Sequence, residues 1–240
     1  MSEVRLRLLS IIVPFLNERD TLRPVVERVL AADTAGLERE LILVDDGSGD
    51  GSTRLARALT QEHACIRLLR SPVNRGKGAA LRRGLAVARG ELILIQDADL
   101  EYSPEDYPAL LGPLLEDRAD VVYGTRFADD VDSRFPMFAQ RLGNRLLTRF
   151  SNALTGLELT DMETCYKVFR ADVLRRVSLR EDRFGFEPEA TAKIARLRPR
   201  PRVLEVPIGY RARTREAGKK IGWTDGLRAL YCIARYNLFP

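Results

Sequence analysis

Histidine and cysteine are scarce in this chain, and both scarcities limit the chemistry available to it. His63 is the only histidine among 240 residues, and it lies in a polar Gln-Glu-His segment typical of a surface. Such a histidine disfavours histidine-based catalysis and zinc binding. The three cysteines, Cys65, Cys165 and Cys232, are odd in number and far apart. They predict neither a disulfide framework nor a zinc site, and they favour a reducing cytoplasm.

Long apolar runs are also missing. No stretch is apolar over the roughly 20 residues that a membrane-spanning helix needs, and the amino terminus does not resemble a signal peptide. We therefore expect a cytoplasmic protein that contacts a membrane at most peripherally. Hydrophobic residues make up 45% of the sequence, which suits one globular α/β domain and argues against disorder.

The net charge of +5 hides an asymmetry between the two halves of the chain. Residues 1–120 carry 16 basic and 20 acidic side chains, whereas residues 121–240 carry 23 basic and 14 acidic ones. An acidic half can hold a cation, and a basic half suits phosphate groups or an anionic membrane surface. The alternative explanation for this asymmetry is ordinary surface charge without a ligand.

Apolar runs of strand length alternate with amphipathic helical patterns through the first 125 residues. The predicted strands are Leu8–Pro14, Leu41–Val44, Ile66–Leu69, Leu92–Ile95 and Val121–Tyr123. The helical patterns between them are Thr21–Ala32, Thr53–Glu62, Ala79–Ala88 and Tyr107–Glu116. This alternation predicts a mostly parallel sheet with helices on both faces. The ligand crevice of such an open sheet lies at the carboxyl ends of its strands.

The second half has fewer strands and more basic residues. The patterns predict helices at Phe138–Leu154, Phe186–Leu197 and Trp223–Leu238, a short strand at Val203–Val206, and a basic tail from Tyr210 to Lys220. One stripe of the last helix is apolar, and its members are Trp223, Leu227, Leu230, Tyr231, Ala234 and Leu238. The stripe either packs on the catalytic core or lies on a membrane surface, and the sequence leaves both open.

Two aspartates follow the fourth predicted strand directly. Asp97 and Asp99 are one residue apart, so both carboxylates can approach a single hard cation. Mg²⁺ or Mn²⁺ takes one or two carboxylates together with substrate phosphate oxygens, and it would neutralise a diphosphate leaving group. Glu101 is a candidate third ligand, or else an acid at the entry of the next helix. The alternative explanation for Asp97 and Asp99 is a solvated turn that binds no metal.

Polar loops follow the second and third predicted strands. The carboxylates of Asp45–Ser52 can accept hydrogen bonds from a nucleobase or a ribose, although Asp50 or Ser52 can also cap the next helix. Arg75–Gly78 can cradle phosphate with backbone N–H groups. It lacks the full spacing of a phosphate-binding loop, which excludes a kinase-type site.

Four strings occur in order along the chain: Val13-Pro-Phe-Leu-Asn-Glu18, Val44-Asp-Asp-Gly-Ser48, Asp97-Ala-Asp-Leu100 and Gly124-Thr-Arg126. They resemble the family 2 glycosyltransferases of the GT-A fold, most of all the branch of dolichyl-phosphate mannose synthases and polyprenyl-phosphate glycosyltransferases. The resemblance continues through Asp161–Lys167, Glu205–Ile208 and Lys219–Trp223, and it covers nearly the whole chain. It implies a Rossmann-like open sheet, mostly parallel, with helices on both faces and a C-terminal extension made of a helix and a basic tail.

The resemblance also implies roles for individual residues. The nucleotide-sugar-binding residues would be Pro14, Leu16, Glu18, Val44, Asp46, Asp97, Ala98, Asp99, Arg126, Arg213 and Lys220. The metal ligands would be Asp97 and Asp99, with Glu101 as the candidate third. The acceptor phosphate would meet Arg126 and either Arg134 or Arg141. The catalytic residues would be Asp99, Arg126 and Arg213.

Two positions and the length of the tail depart from the family pattern. Leu16 replaces an aromatic residue common in mannose synthases, which leaves guanine and uracil both open as the donor base. Cys165 stands where glycine is common, and we interpret it as a small packed residue rather than a nucleophile. The tail is one residue longer than in the mannose synthases, so Lys219 and Lys220 are both candidates for the contact with diphosphate.

The implied reaction is the inverting transfer of a hexose, mannose or glucose, from a GDP-mannose or UDP-glucose type of donor to a dolichyl or undecaprenyl monophosphate. Such a phosphate has a second pKa of about 6, so it attacks without a general base. The resemblance implies a peripheral membrane contact or a membrane partner protein, and no nucleic acid. We expect a single domain over residues 1–240, with a nucleotide-sugar half (1–125), an acceptor half and basic tail (126–222), and an amphipathic helix (223–240).

Two alternatives remain at this point. A family 2 enzyme that glycosylates a saccharide hydroxyl would need a carboxylate base, for which Glu187 and Glu189 are candidates. Both can instead be helix-start charges. The chain can also be a module that binds nucleotide sugars or anionic membranes without catalysis, although the Asp97 and Asp99 pair argues against it.

Overall fold

A computed structural model describes residues 6–127, 138–212 and 223–239 of the chain. Its strands are β1 (Leu8–Phe15), β2 (Glu38–Asp45), β3 (Ile66–Arg70), β4 (Leu92–Ile95), β5 (Val121–Thr125), β6 (Lys167–Arg170) and β7 (Val203–Pro207). Its helices are α1 (Leu22–Ala31), α2 (Ser52–Glu62), α3 (Lys77–Leu85), α4 (Tyr107–Leu115), α5 (Phe138–Thr155), α6 (Ala171–Arg175), α7 (Phe186–Ala195) and α8 (Trp223–Leu238). A 3-10 turn, Pro104–Asp106, leads into α4.

The seven strands form one sheet in the order β3-β2-β1-β4-β6-β5-β7. Every pairing is parallel except those of β6, which runs antiparallel to β4 and β5. Residues Leu9–Phe15 of β1 and Leu92–Ile95 of β4 are buried throughout, because helices cover both faces of the sheet. The predicted α/β fold of the GT-A type, with an open and mostly parallel sheet, is confirmed.

The sequence patterns did not predict β6. It has only four residues, and its first, Lys167, is completely buried although charged. Lys167 pairs with Tyr123 of β5, and Val168 pairs with both Val122 of β5 and Leu94 of β4. Because β6 is antiparallel, its amino end lies beside the carboxyl ends of β4 and β5. The segment Asp161–Tyr166 is thereby brought to the ligand-binding edge of the sheet.

The bounds of several elements extend beyond the predicted ones. The second strand was predicted from Leu41, but it pairs with β1 from Glu38 onward. Its extra length includes Glu40, whose buried carboxylate accepts a hydrogen bond of 2.6 Å from the Ser10 hydroxyl. Apolar periodicity detects only the residues that face the core, whereas strand pairing continues through polar ones. Helix α3 likewise begins at Lys77, two residues before the predicted start.

Helix α8 packs through a different face from its apolar stripe. Ala229, Cys232 and Ile233 are buried, and Cys232 clusters with Ala192 of α7. Leu227 and Leu230 of the predicted stripe are 57% and 44% exposed. Tyr231 and Leu238 of the same stripe are 52% and 55% exposed. The structure therefore does not support packing of this stripe on the core; the side chain of Trp223 lies outside the described residues. No helix in the described ranges is long and apolar enough to cross a membrane.

Candidate active site

The ends of β1 and β2 bring together the residues predicted to bind a nucleotide. Pro14 pairs with Val44 in the parallel register of these strands, and both are buried. Leu16 and Glu18 follow β1, and Asp46 follows β2. The backbone N–H of Glu18 donates to the Ser52 hydroxyl at 2.9 Å, which fixes the turn after β1 against the start of α2.

Asp46 connects the loop after β2 to the loop before α3 through hydrogen bonds. Its carboxylate accepts hydrogen bonds from the backbone N–H groups of Arg75 at 3.0 Å and Gly76 at 2.6 Å. Gly47 makes this approach possible, because a Cβ there would lie 2.8 Å from the backbone nitrogen of Asn74. Two of the N–H groups that we expected to cradle phosphate in Arg75–Gly78 thus bind Asp46 instead.

Asp97 follows β4 and meets the first residue of α3. The Lys77 ammonium lies 2.9 Å from Oδ1 of Asp97 and 3.3 Å from Oε1 of Glu187, which is in the first turn of α7. Burial opposes the charged form of Lys77, but the nearby carboxylates more than offset it and raise the pKa of Lys77 above its usual range. A positive charge is therefore held between the β4 end and α7.

Asp99 and Glu101 lie in the turn that follows. Oδ1 of Asp99 accepts a hydrogen bond of 3.1 Å from the backbone N–H of Glu101. The Glu101 carboxylate accepts one of 2.8 Å from the Tyr210 hydroxyl. Among the residues of the three described ranges, no three His, Cys, Asp or Glu side chains form a metal-binding group. One oxygen of the Glu101 carboxylate is engaged by Tyr210, and the role of Glu101 as a third metal ligand stays a prediction.

Arg126 follows β5 and is paired with Asp161. Its Nε and Nη2 donate to the Asp161 carboxylate at 2.6 and 2.8 Å, and both side chains are almost completely buried. Asn144 of α5 donates to the same carboxylate at 2.9 Å. The guanidinium carbon lies 5.0 Å from the centre of the Tyr210 ring. Tyr210 therefore contacts both the acidic turn of Glu101 and this buried arginine.

A cluster of three arginines surrounds Phe127. The guanidinium carbons of Arg126, Arg141 and Arg145 lie 5.6–5.9 Å from its ring centre. The Nε of Arg141 is buried and has no hydrogen-bond partner within the part of the chain that the structure describes. These contacts place Arg141 beside Arg126, and its acceptor-phosphate role stays a prediction. Arg134, Arg213, Lys219 and Lys220 lie outside the described residues, so their roles stay predictions.

Several residues at this edge had no role in the sequence interpretation. Lys77 was grouped with the phosphate-cradling loop, and its contact with Asp97 was not anticipated. Asp161 and Glu163 were recognised only as part of a string, because nothing in their spacing signals the antiparallel turn that brings them here. Burial and the neighbouring Asp97 raise the pKa of the Cys165 thiol, which agrees with a packed residue and not a nucleophile.

The two glutamates of α7 have different environments. Glu189 is completely buried, and its carboxylate accepts hydrogen bonds from the backbone N–H groups of Arg180 and Glu181 and from Lys193. It stabilises the turn before α7. Glu187 is 4% exposed and uses Oε1 on Lys77, at the candidate site. Of these two glutamates, only Glu187 contacts Lys77, which in turn contacts Asp97.

The model of the glycosyl transferase family 2 matches residues 10–178, which is more than half of the chain and spans β1 to β6. The chain belongs to glycosyl transferase family 2. The matched region contains Asp97, Asp99, Arg126 and Asp161, whereas Glu187 on α7 lies beyond it.

Curated relatives of this family 2 chain have names that specify the acceptor. It is 32% identical over 213 residues to a dodecaprenyl-phosphate galacturonate synthase of Rhizobium johnstonii, covering 88% of the chain and 61% of the relative. It is 31% identical over 211 residues to an undecaprenyl-phosphate 4-deoxy-4-formamido-L-arabinose transferase of Edwardsiella ictaluri, covering 87% of the chain and 61% of that relative. The chain thus spans about three fifths of the length of these relatives.

Solved structures resemble the family 2 chain over almost its whole length. Glucosyl-3-phosphoglycerate synthase from Mycobacterium tuberculosis, in complex with phosphoglyceric acid, superposes with a TM-score of 0.74 at 24% identity, covering 98% of this chain and 81% of that one. The same enzyme with Mn²⁺, uridine diphosphate and phosphoglyceric acid gives a TM-score of 0.74 at 21% identity, covering 98% and 80%. These likenesses establish the shared fold.

Proposed function

We propose that this protein transfers a sugar from a nucleoside diphosphate sugar to a polyprenyl monophosphate, with the help of a divalent cation. Membership of family 2 supports the transferase chemistry. The names of the relatives, each of which includes a polyprenyl phosphate, support the acceptor. Our division of the chain into a donor half, an acceptor half and a C-terminal helix belongs to the same proposal.

One observation supports this function above the others: an acidic turn and a buried arginine meet on the two sides of Tyr210. The tyrosine hydroxyl donates to Glu101 at 2.8 Å, and its ring lies under the Arg126 guanidinium at 5.0 Å. Glycosyl transfer from a diphosphate to a monophosphate brings two anionic groups close together. An acidic turn that would hold a cation for one group and an arginine for the other, a short distance apart, suit that reaction.

The residues present suit a divalent cation on the donor side. Asp97 and Asp99 offer carboxylate oxygens at the end of a buried strand, which are the hard ligands that Mg²⁺ and Mn²⁺ prefer. Asp97 already binds a cationic group, the Lys77 ammonium at 2.9 Å. A bound cation would supply charge neutralisation for the diphosphate leaving group. The structural neighbour whose complex contains Mn²⁺ and uridine diphosphate supports this choice of metal.

The acceptor side of the reaction requires positioning rather than base catalysis. A monophosphate is already mostly ionised at neutral pH, so its oxygen can attack the anomeric carbon directly. Arg126, held rigid by Asp161, and Arg141 near Phe127 would bind this phosphate and align it. Displacement by an oxygen on the face opposite the leaving group inverts the anomeric centre.

The transferred sugar is a separate part of the proposal. The two relatives name galacturonate and 4-deoxy-4-formamido-arabinose, so similarity to them does not decide the sugar. We infer a hexose, mannose or glucose, carried by GDP or UDP, from the strings shared with the mannose synthase branch.

Contact with an anionic membrane surface is the last part of the proposal. The exposed stripe of α8 is accompanied by Leu142 and Leu146 of α5, which are 48% and 56% exposed, and α5 packs against α8. Arg145 and Arg149 on α5 are exposed as well. Apolar side chains accompanied by arginines suit the boundary between lipid tails and anionic headgroups, where a polyprenyl phosphate would be reached.

A second function, transfer to a saccharide hydroxyl, is favoured by one observation. Oε2 of Glu187 is buried and accepts no hydrogen bond from any described residue, so this carboxylate can act as a base for a neutral hydroxyl. The test below includes that acceptor class.

The deciding experiment is a transfer assay with Mn²⁺ and radiolabelled UDP-glucose or GDP-mannose. Undecaprenyl phosphate in detergent is compared with free oligosaccharides as acceptor. We expect a labelled lipid that is sensitive to mild acid, and none when EDTA replaces Mn²⁺. Label transferred to oligosaccharide alone would favour the second function, and label in neither acceptor with any donor would count against both.

A further inference from the structure

A buried amide lies at the start of the acidic turn, Asp97–Glu101. Gln96 follows β4 directly and is completely buried. Its backbone N–H donates to the carbonyl oxygen of Ile12 at 3.0 Å, which continues the contact of β4 with β1 by one residue. Its side-chain Nε2 donates to the backbone oxygen of Asp97 at 2.9 Å. Gln96 therefore joins the end of the sheet to the first residue of the acidic turn.

Two tyrosines hold this amide in one orientation. The hydroxyls of Tyr107 on α4 and Tyr166 before β6 donate to Oε1 of Gln96 at 2.8 and 2.7 Å. A backbone oxygen only accepts hydrogen bonds, so the amide turns its nitrogen toward Asp97 and its oxygen toward the tyrosines. All three side chains are completely buried, and each of their polar groups has a partner. A buried polar network that is fully satisfied makes its surroundings rigid.

The hydrogen bond to Asp97 acts on the direction of the two metal-ligand carboxylates. The carbonyl of Asp97 belongs to the planar peptide unit that joins it to Ala98. Holding that oxygen therefore limits the rotation of the backbone between Asp97 and Asp99. A small divalent cation needs its oxygen ligands at nearly fixed positions, about 2.0–2.1 Å away for Mg²⁺. An acidic turn that is free to rotate would bind such a cation less tightly.

The acidic turn is also strained, so it depends on its supports. Leu100 has a φ of +63°, a left-handed conformation that is costly for a bulky residue. Strain of this kind persists only where the surrounding structure determines the backbone. At the far end of the turn, the Tyr102 hydroxyl accepts a hydrogen bond of 3.0 Å from the backbone N–H of Cys165. The neighbouring residues Cys165 and Tyr166 thus bind the chain just before and just after the acidic turn.

We propose that Gln96 is a positioning residue for the divalent cation, and that Tyr107 and Tyr166 hold it in that role. The inference rests on the proposed function, since it presupposes a cation at Asp97 and Asp99. It goes further, because it makes the affinity for the cation depend on side chains that touch neither metal nor substrate. The competing explanation is that the network only packs the core.

The test measures how much Mn²⁺ the protein needs to bind a nucleoside diphosphate. UDP and GDP are titrated by calorimetry over a range of Mn²⁺ concentrations, and the thermal transition without metal or nucleotide is recorded for each variant. Gln96→Met roughly keeps the side-chain volume and removes the amide donor and acceptor. We expect it to raise the Mn²⁺ concentration for half-maximal binding about tenfold, as the loss of an outer support of metal ligands does.

Tyr107→Phe combined with Tyr166→Phe leaves Gln96 in place and removes only the two hydroxyls. The amide can then turn away from Asp97, so the Mn²⁺ concentration should rise by roughly threefold, less than for loss of the amide itself. Tyr123→Phe is the matched control. The Tyr123 hydroxyl is equally buried and is hydrogen-bonded at 3.0 Å to Thr191 of α7, in a pair separate from the network. This control should lower the metal-free thermal transition, as any lost buried hydrogen bond does, without changing the Mn²⁺ requirement.

Each outcome decides the question. A folded Gln96→Met protein that needs no more Mn²⁺ than the unmodified protein overturns the positioning role and leaves the transferase proposal intact. An equal rise in Gln96→Met and Tyr123→Phe also overturns it, because the network would then act only through stability. If Gln96→Met does not fold, the combined tyrosine variant is judged by the same two criteria. If the unmodified protein binds neither UDP nor GDP with Mn²⁺, the proposed function fails, and the positioning role fails with it.

Discussion

The exposed stripe of α8 leads to a quantitative prediction about membrane binding. Leu227 and Leu230 are 57% and 44% exposed, so about half of each side chain remains to be removed from water. Complete burial of a leucine contributes about 1.5–3 kcal/mol, so half-burial of the two contributes about 2 kcal/mol together. Leu227→Asp combined with Leu230→Asp should therefore weaken partitioning onto vesicles roughly 30-fold from lost apolar contact alone.

Electrostatics increases this effect. Each new carboxylate would be repelled by anionic headgroups, by about 1 kcal/mol, the same magnitude as the attraction of a basic side chain. Folding should hardly respond, because substitutions at exposed positions usually change stability by less than about 0.5 kcal/mol. The buried face of α8, with Cys232 and Ile233, is untouched by the change.

The assay is co-sedimentation with vesicles of phosphatidylglycerol and phosphatidylcholine at low and high salt, with the thermal transition measured in parallel. Val73→Asp with Leu115→Asp is the matched control, since these residues are 55% and 37% exposed but lie on other elements. The control should bind vesicles like the unmodified protein. Equal binding of the α8 variant and the control, or no binding of the unmodified protein at low salt, would refute the membrane surface. Unfolding of the α8 variant would show that the stripe is core after all.

Three further changes test the site. Asp99→Ala should preserve the fold but abolish turnover and the Mn²⁺-dependent thermal stabilisation by nucleoside diphosphate. Full turnover of this variant at saturating donor would contradict the metal role of Asp99. Asp161→Ala should lower the free energy of unfolding by about 3–5 kcal/mol, because it leaves the Arg126 guanidinium buried without its partner; denaturant titration that shows a loss below about 1 kcal/mol would contradict this. Gly78→Ala should be destabilising by about 1–3 kcal/mol, because its Cβ would collide with the backbone oxygen of Glu181, whereas Gly49→Ala meets open space and should be near neutral in the same titration.

The sequence predicted the parallel half of the fold well for a physical reason. Strands such as Leu92–Ile95 are covered on both faces, so they are continuously apolar, and the prediction of that strand is confirmed residue for residue. β6 could not be found in this way, because its first residue is Lys167 and its length is four. A buried lysine has no signature in a hydrophobicity pattern, and its cost is offset only by contacts that the fold creates.

The site was predictable to a similar extent. Carboxylates after buried strands, such as Asp97, can be found by their position in the chain. The contacts made by Lys77 and Tyr210 depend on strand order, because they join residues 20 and 109 positions apart in the sequence. A single chain without its fold gives no signal for such pairs. The Arg126 and Asp161 pair is of the same kind, since the two meet only because β6 turns back beside β5.

The buried charges themselves argue that this edge of the sheet is selected for chemistry rather than for stability. Lys77, Glu187 and Lys167 interact electrostatically at this edge, and each charge taken out of water costs several kcal/mol before its partners are counted. Burial raises the pKa of Glu163 to about 8, which favours the neutral form of its carboxyl group. Apolar residues of similar volume would stabilise the fold at least as well. Structural pairing accounts for Lys77 and Lys167, whose ammonium groups bind a carboxylate and a backbone oxygen. It does not account for Glu187 and Glu163, each of which retains an oxygen that no described residue satisfies. Two buried carboxyl oxygens that no described residue satisfies lower the stability of the fold at the same edge of the sheet where Asp97 and Arg126 lie, and selection for stability alone would not retain them.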